Sequence, residues 1–236
     1  MSMVEYSVKE RIGRITLNRP DKRNALSPEM VERLKQAFDR AAKDDQVKVI
    51  VLNAMGEAFC AGADLAYLQQ LQNFSFEENL ADSNQLKELF LNIYTHPKVV
   101  IAQVQGHALA GGCGLASICD CVFAVPEAKF GYTEVRIGFI PALVSVFLLR
   151  KLGEGAAREL LLSGELIAAE RAQAIGLINR VVSADKLEAE VNDFASRLIA
   201  SNSADSMKLT KKLIAEVQGM SLTQALHHAA ESNIIW

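Results

Sequence analysis

The chain has 236 residues, half of them apolar, with 25 Lys+Arg against 28 Asp+Glu and a net charge of −3. This balance excludes nucleic acid or an anionic membrane as the main partner. No run reaches the roughly 20 apolar residues of a membrane span, and the N-terminus lacks the basic-then-apolar order of a signal peptide, so a soluble cytoplasmic protein is expected.

"VEYSVKERIGRITLNRP" alternates as a two-stranded hairpin, with its turn near Glu10 to Gly13 and a stop at Pro20. "LSPEMVERLKQAFDRAAKDD" predicts a helix capped by Ser27, with Pro28 in its first turn and Met30, Leu34, Ala37, Phe38 and Ala41 on one face. "VKVIVLN" reads as a buried strand. The small-residue loop in "NAMGEAFCAGADL" then leads into a helix "DLAYLQQLQ" that Asp64 can cap. "VVIAQVQG" and "CVFAV" are two further strands, separated by "GHALAGGCGLASICD". Short β-branched strands separated by helices predict an α/β core.

After Pro141 the pattern turns helical: "PALVSVFLLRKLG", "EGAARELLLSG", "AAERAQAIG", "SADKLEAEVNDFASRLIAS" and "SADSMKLTKKLIAEV". Gly153, Gly164 and Gly176 are expected as C-terminal stops. A change in composition divides a core, residues 1–182, from a helical C-terminal region, residues 183–236. The sequence has no internal repeat. Cys60, Cys113, Cys119 and Cys121 form no C-x-x-C pair, which predicts buried reduced thiols and no disulfide or metal.

The chemistry is expected at the glycines. A strand, a glycine-rich turn and a helix opening near Gly111 put free N–H groups at a positive helix end. If the Ala61–Asp64 loop meets that turn, two main-chain donors point at one spot and can hold charge developing on a carbonyl oxygen. G-x-x-x-x-G-K-[ST], G-x-G-x-x-G and G-x-S-x-G are all absent.

Four segments in order, "NRPDKRNALS", "AFCAGADL", "GHALAGGCGLASICD" and "FGYTEVRIGFIPA", resemble the crotonase superfamily of enoyl-CoA hydratases and isomerases, from about residue 4 to about residue 230. "GYTEVRIGFIPALVSVFLLRK" is similar to its methylglutaconyl-CoA hydratase-like branch. The resemblance implies a spiral of ββα units with a helical C-terminal region that builds trimers or hexamers. It also implies an acyl-CoA thioester as substrate, with no further cofactor and no metal. Its two oxyanion donors fall on the N–H groups of Ala63 and Gly111. Its CoA contacts fall on Lys22, Arg23, Ala25, Ala61, Ala63, Asp64 and Leu65, with Gly111 beside them, and its acyl pocket on Tyr67, Leu68 and Leu71.

Of the two glutamates usual in the family's hydratases, one falls on Glu134 and the other on Gly114. Hydration is served most readily by two carboxyl groups, whereas moving a double bond needs one base. An enoyl-CoA hydratase is expected, with a double-bond isomerase or a catalytically weak acyl-CoA-binding protein as alternatives. Gly114, one helical turn beyond Gly111, is expected to face the site, so that a glutamate there would restore the second carboxylate. The resemblance also implies a further helix or so past "LHHAAESN" that helps close the acyl site, where this sequence stops at "IIW", so the resemblance implies no acyl-chain preference. Arg136 is a candidate partner for a substrate carboxylate. His96 reads as a loop residue and His107 as structural; His227 and His228, like Lys208, Lys211 and Lys212, read as solvated helix surface.

Overall fold

The computed structural model describes residues 2–232. The N-terminal hairpin forms from β1 (Val4–Lys9) and β2 (Ile12–Leu17), with Val4 opposite Leu17 and Lys9 opposite Ile12. Glu10 and Arg11 make its two-residue turn at φ of 50° and 64°, the conformation that matches the twist of the paired strands. Helix α1 (Pro28–Lys43) starts at the expected cap, where Ser27 Oγ accepts from Met30 N–H at 3.2 Å, and its expected apolar face is buried.

Strand β3 (Val49–Ala54) is followed by the three-residue β4 (Ala58–Cys60), then by α2 (Leu65–Leu71) and α3 (Phe76–Tyr94). The order repeats with β5 (Val99–Val104), β6 (His107–Leu109) and α4 (Gly111–Ser117), and again with β7 (Cys121–Ala124), β8 (Lys129–Gly131) and α5 (Ala142–Lys151). Thereafter come α6 (Glu154–Ser163), β9 (Ile167–Ala168), α7 (Ala169–Ala174) and β10 (Arg180–Val181). Helices α8 (Leu187–Ser201), α9 (Ala204–Val217) and α10 (Leu222–Ser232) complete the described chain. The "IIW" ending lies outside the described residues.

One sheet runs in the order β1-β2-β3-β5-β7-β10, and a second, built only of strands two or three residues long, in the order β4-β6-β8-β9. Within the second sheet β4, β6 and β8 run parallel, so their carboxyl ends lie on one edge. Each ββα turn of the spiral places one strand in each sheet. The repetition is one of backbone path with no repeated sequence, because the strands need only be apolar and short.

Several expectations are corrected. The sequence reading leaves residues 73–94 unassigned, where α3 forms behind a reciprocal capping box. Ser75 Oγ accepts from Glu78 N–H, and Ser75 N–H donates to Glu78 Oε2 at 2.7 Å. The two-residue strands β9 and β10 interrupt the helical stretch after Pro141; they are too short to show a period of two. Gly153 directly follows the Leu152 C-cap of α5, as expected, but makes no left-handed turn. It precedes α6 at φ −64°, whereas Gly164 ends that helix at φ +64°.

Two further corrections concern burial. Lys211 is buried, with Nζ donating to Asp120 Oδ2 at 2.7 Å and to the carbonyls of Ile93 and Lys98. His96 is 1% exposed: Nε2 lies 3.2 Å from the Phe38 carbonyl and Nδ1 accepts from Lys98 N–H. Both sit where the end of α3 meets packed elements, which single-residue polarity does not reveal. His228 pairs with Glu216 at 2.8 Å. The four cysteines are free, and burial pushes the thiols of Cys60, Cys113 and Cys119 up to about 12. Among the described residues no helix is long and apolar enough to cross a membrane.

Candidate active site

The edge where β4, β6 and β8 end borders a largely apolar cavity of about 350 Å3. Ala63 follows β4 by three residues, Gly111 follows β6 by two and Glu134 follows β8 by three, and all three line it. Carboxyl ends of parallel strands are where α/β sheets leave room for ligands, since each chain must turn there towards its helix.

The two glycine loops pack against each other. Gly62 has φ +88°, and a Cβ there would lie 2.8 Å from Ala110 Cβ and 3.3 Å from Gly111 N. A Cβ on Gly112 would overlap the Cys60 carbonyl oxygen. Glycine is thus required at both positions by contact between the loops. Ala110, at φ 50° and ψ −127°, turns the chain sharply into α4 while its N–H donates to the Gly131 carbonyl at 2.7 Å. That bond ties the Gly111 loop to β8 and hence to Glu134. The Ala63 loop is stitched to the 22–26 segment: Ala61 N–H donates to Arg23, Leu26 N–H to Gly62, and Asp64 N–H to Leu26. None of these bonds uses the N–H of Ala63.

Glu134 opens a single 3-10 turn, Glu134–Ile137, and is half-buried. Its Oε2 is shielded from solvent and has no hydrogen-bond partner among the described residues. Burial raises its pKa above the ordinary carboxylate range, an effect that a hydrogen bond to its own backbone opposes. A shielded carboxylate oxygen without a partner is a costly feature that clusters at functional sites.

Most of the expected residues come together. Ala61, Ala63, Leu65, Tyr67, Leu68, Leu71, Gly111 and Glu134 all line the cavity. Lys22, Arg23, Ala25 and Asp64 do not, although the bonds just described hold the first three beside the Ala61–Asp64 loop. Lys22 and Arg23 are exposed, Ala25 is buried, and Asp64 is committed elsewhere. Asp64 caps α2 through the N–H groups of Ala66 and Tyr67 and pairs with Arg19 at 2.8 Å. Burial alone would raise its pKa, but Arg19 and the capping bonds outweigh that and hold it below the usual value. Arg136 and His107 do not line the cavity.

The expectation for Gly114 is overturned. A Cβ there would overlap Val144 Cγ1 and lie 3.2 Å from the Phe90 ring. Val144, itself among the residues that border the cavity, fills that space. Position 114 therefore faces α3 and α5, and helical spacing from Gly111 could not foresee which elements would pack there. Sequence reasoning also missed Asp82, Ser83, Gln85 and Leu86, which reach the cavity from α3. The Ser75–Glu78 capping box was the signal that could have found that helix.

Comparison with known proteins agrees with this architecture. Residues 7–233 match the family model described as enoyl-CoA hydratase/isomerase. A Thermus thermophilus protein carrying an enoyl-CoA hydratase name is 45% identical over 225 residues, covering 95% of this chain and 88% of that one. The crotonyl-CoA hydratase of Syntrophomonas wolfei is 33% identical, with 95% and 85% covered. The crystal structure of an enoyl-CoA hydratase from Mycobacterium smegmatis superposes with a TM-score of 0.93 at 32% identity, over 99% of this chain and 90% of that one. With the family model matched over residues 7–233 and relatives covered along nearly the whole chain, this protein belongs to the enoyl-CoA hydratase/isomerase family of the crotonase superfamily.

Proposed function

We propose that this protein hydrates 2-enoyl-CoA thioesters, with coenzyme A entering as part of the substrate. The observation that carries the reading is the unpartnered Glu134 Oε2 in a cavity wall shared with the loop ends of Ala63 and Gly111. The thioester oxygen accepts from the N–H groups of Ala63 and Gly111, which stabilise the enolate as it forms. Glu134 takes a proton from water as the hydroxyl adds to C3, then returns that proton to C2. The exposed Lys22 and Arg23, beside Ala25 and the Ala61–Leu65 loop, suit the CoA phosphates and the adenosine end.

The filled space at Gly114 favours a second reading. With one carboxylate, the same site removes a proton from C2 of a 3-enoyl thioester and returns it to C4, which is isomerisation. Crotonyl-CoA and 3-hexenoyl-CoA separate the two. Hydration removes the conjugated-thioester absorbance of the first, and isomerisation creates it from the second. Loss of crotonyl-CoA is the expected result. Conversion of 3-hexenoyl-CoA alone replaces hydratase by isomerase, and binding without turnover of either leaves an acyl-CoA-binding protein. The methylglutaconyl-like branch resemblance would further add a terminal carboxylate to the acyl chain, for which the cavity lining offers no cation.

Residues 183–236 are proposed as the assembly region of a trimer or hexamer. Ile214, Leu222 and Leu226 are 53%, 76% and 63% exposed on α9 and α10, apolar surface that suits burial by another copy. Light scattering at micromolar concentration is expected to give a multiple of three; a monomer overturns it.

A further inference from the structure

We infer that the cavity selects acyl-CoA thioesters whose acyl chain ends in an uncharged group, and that the Tyr67–Asp82 pair on its helical wall is the specificity-determining element. The inference rests on the acyl-CoA reading of the cavity and deepens it by naming the substrate class.

Charge is distributed unevenly in the lining. Among the described residues it contains two carboxylates, Glu134 and Asp82, and no Lys, Arg or His. Glu134 lies at the strand ends with the reacting atoms. Asp82 lies on α3, in the wall formed with Tyr67, Leu68 and Leu71 of α2. Tyr67 donates its hydroxyl to Asp82 Oδ1 at 2.6 Å, and its ring meets Phe74 edge-on at 6.2 Å. Burial raises the phenol's pKa, and the Asp82 hydrogen bond and charge raise it further, so Tyr67 remains the donor. The acidic group is therefore fixed in place by a packed ring.

An acyl chain reaching towards α2 and α3 meets leucines and this pair. A terminal carboxylate would lose water there without gaining a cation and would approach a like charge. A methyl-terminated chain meets apolar surface and bears neither cost. Two cations border this wall without lining the cavity: Arg19 is bound to Asp64 at the start of α2, and Lys35 is held by Glu88 and the lining residue Gln85 on α3.

Valeryl-CoA and glutaryl-CoA test this directly. They have the same five-carbon acyl length, differ by a terminal carboxylate, and lack the double bond, so calorimetric titration reads binding apart from chemistry. The wild type is expected to bind valeryl-CoA about 100-fold more tightly. Within each variant the ratio of the two affinities is then compared. Asp82→Asn, which keeps an acceptor for Tyr67, should shrink that ratio by about 10-fold. Ser83→Lys, which puts a cation into the lining, should shrink it as well. Glutaryl-CoA binding within about threefold of valeryl-CoA in the wild type overturns the inference, as does a ratio that neither variant changes. Binding of neither thioester overturns it together with the acyl-CoA reading. Crotonyl-CoA turnover distinguishes the two failures. A charge preference without turnover keeps the filter and removes the hydratase, whereas turnover without the preference does the reverse.

Discussion

One wall of the cavity is made of strand ends and the other of a helix pair, and different forces hold them. Ala63, Gly111 and Glu134 follow parallel strands whose neighbours are backbone, so two glycines and a chain of main-chain hydrogen bonds fix their spacing. The α2–α3 wall is half-exposed. It is held by the Asp64 cap, the Tyr67–Asp82 bond and, at the far end of α3, by buried His96 and Lys211. Main-chain geometry changes little with side-chain substitution, whereas a helical wall can be relined one residue at a time. Chemistry on the first and selectivity on the second is the division this predicts.

Removing the base from the strand-end wall should have the largest effect. Glu134→Gln keeps the shape, and turnover should fall by about 10²–10⁴-fold while saturated acyl-CoA binding holds. A variant keeping more than about a tenth of the wild-type rate would take Glu134 out of the mechanism.

Acid should next loosen the far anchor of the helical wall. Burial is the main reason the His96 pKa is lowered from 6.5 to about 4, against the opposing pull of the Phe38 and Lys98 carbonyls on the charged ring. The unfolded chain then binds more protons than the folded one in this window. The stabilising contribution is complete above about 6.5 and is lost as pH falls towards 4, on the order of 3 kcal/mol. Urea unfolding at stepped pH should show a shallower decline in His96→Gln; an identical slope would assign the acid sensitivity elsewhere.

Where the walls meet, Gly114→Glu tests packing. The new side chain meets Val144 and Phe90, so stability should drop by about 1–3 kcal/mol or more, with no gain in hydration. Shortening Val144 to Ala in the same chain should recover part of the melting temperature. A fully stable single variant with faster hydration would show that position 114 opens to the cavity after all.

The smallest effect should come from Asp64→Ala, which removes the α2 cap and the Arg19 pair. Loss of such a cap costs about 1 kcal/mol. A few-fold rise in KM with little change in kcat is expected, because α2 carries the acyl wall and no reacting group. Steady-state kinetics would contradict the division of labour if kcat fell and KM stayed.

Sequence alone determined what depends on near neighbours and on residue type. The hairpin turn, the Ser27 and Asp64 caps, the buried face of α1 and the start of α4 at Gly111 were legible because caps, periodicity and glycine act within a few residues, whereas Ala63, Gly111 and Glu134 were singled out through the family resemblance. Tertiary structure alone decided which distant segments touch. It put Gly114 against Val144, buried His96 and Lys211 beneath α3, and brought Asp82 into the cavity lining. A residue's own chain does not encode what lies across from it, since that is set by how the two sheets stack and where each helix returns. The glycine-rich loops at the strand ends could therefore be read locally. The charge of the cavity became visible only when α3 folded over it.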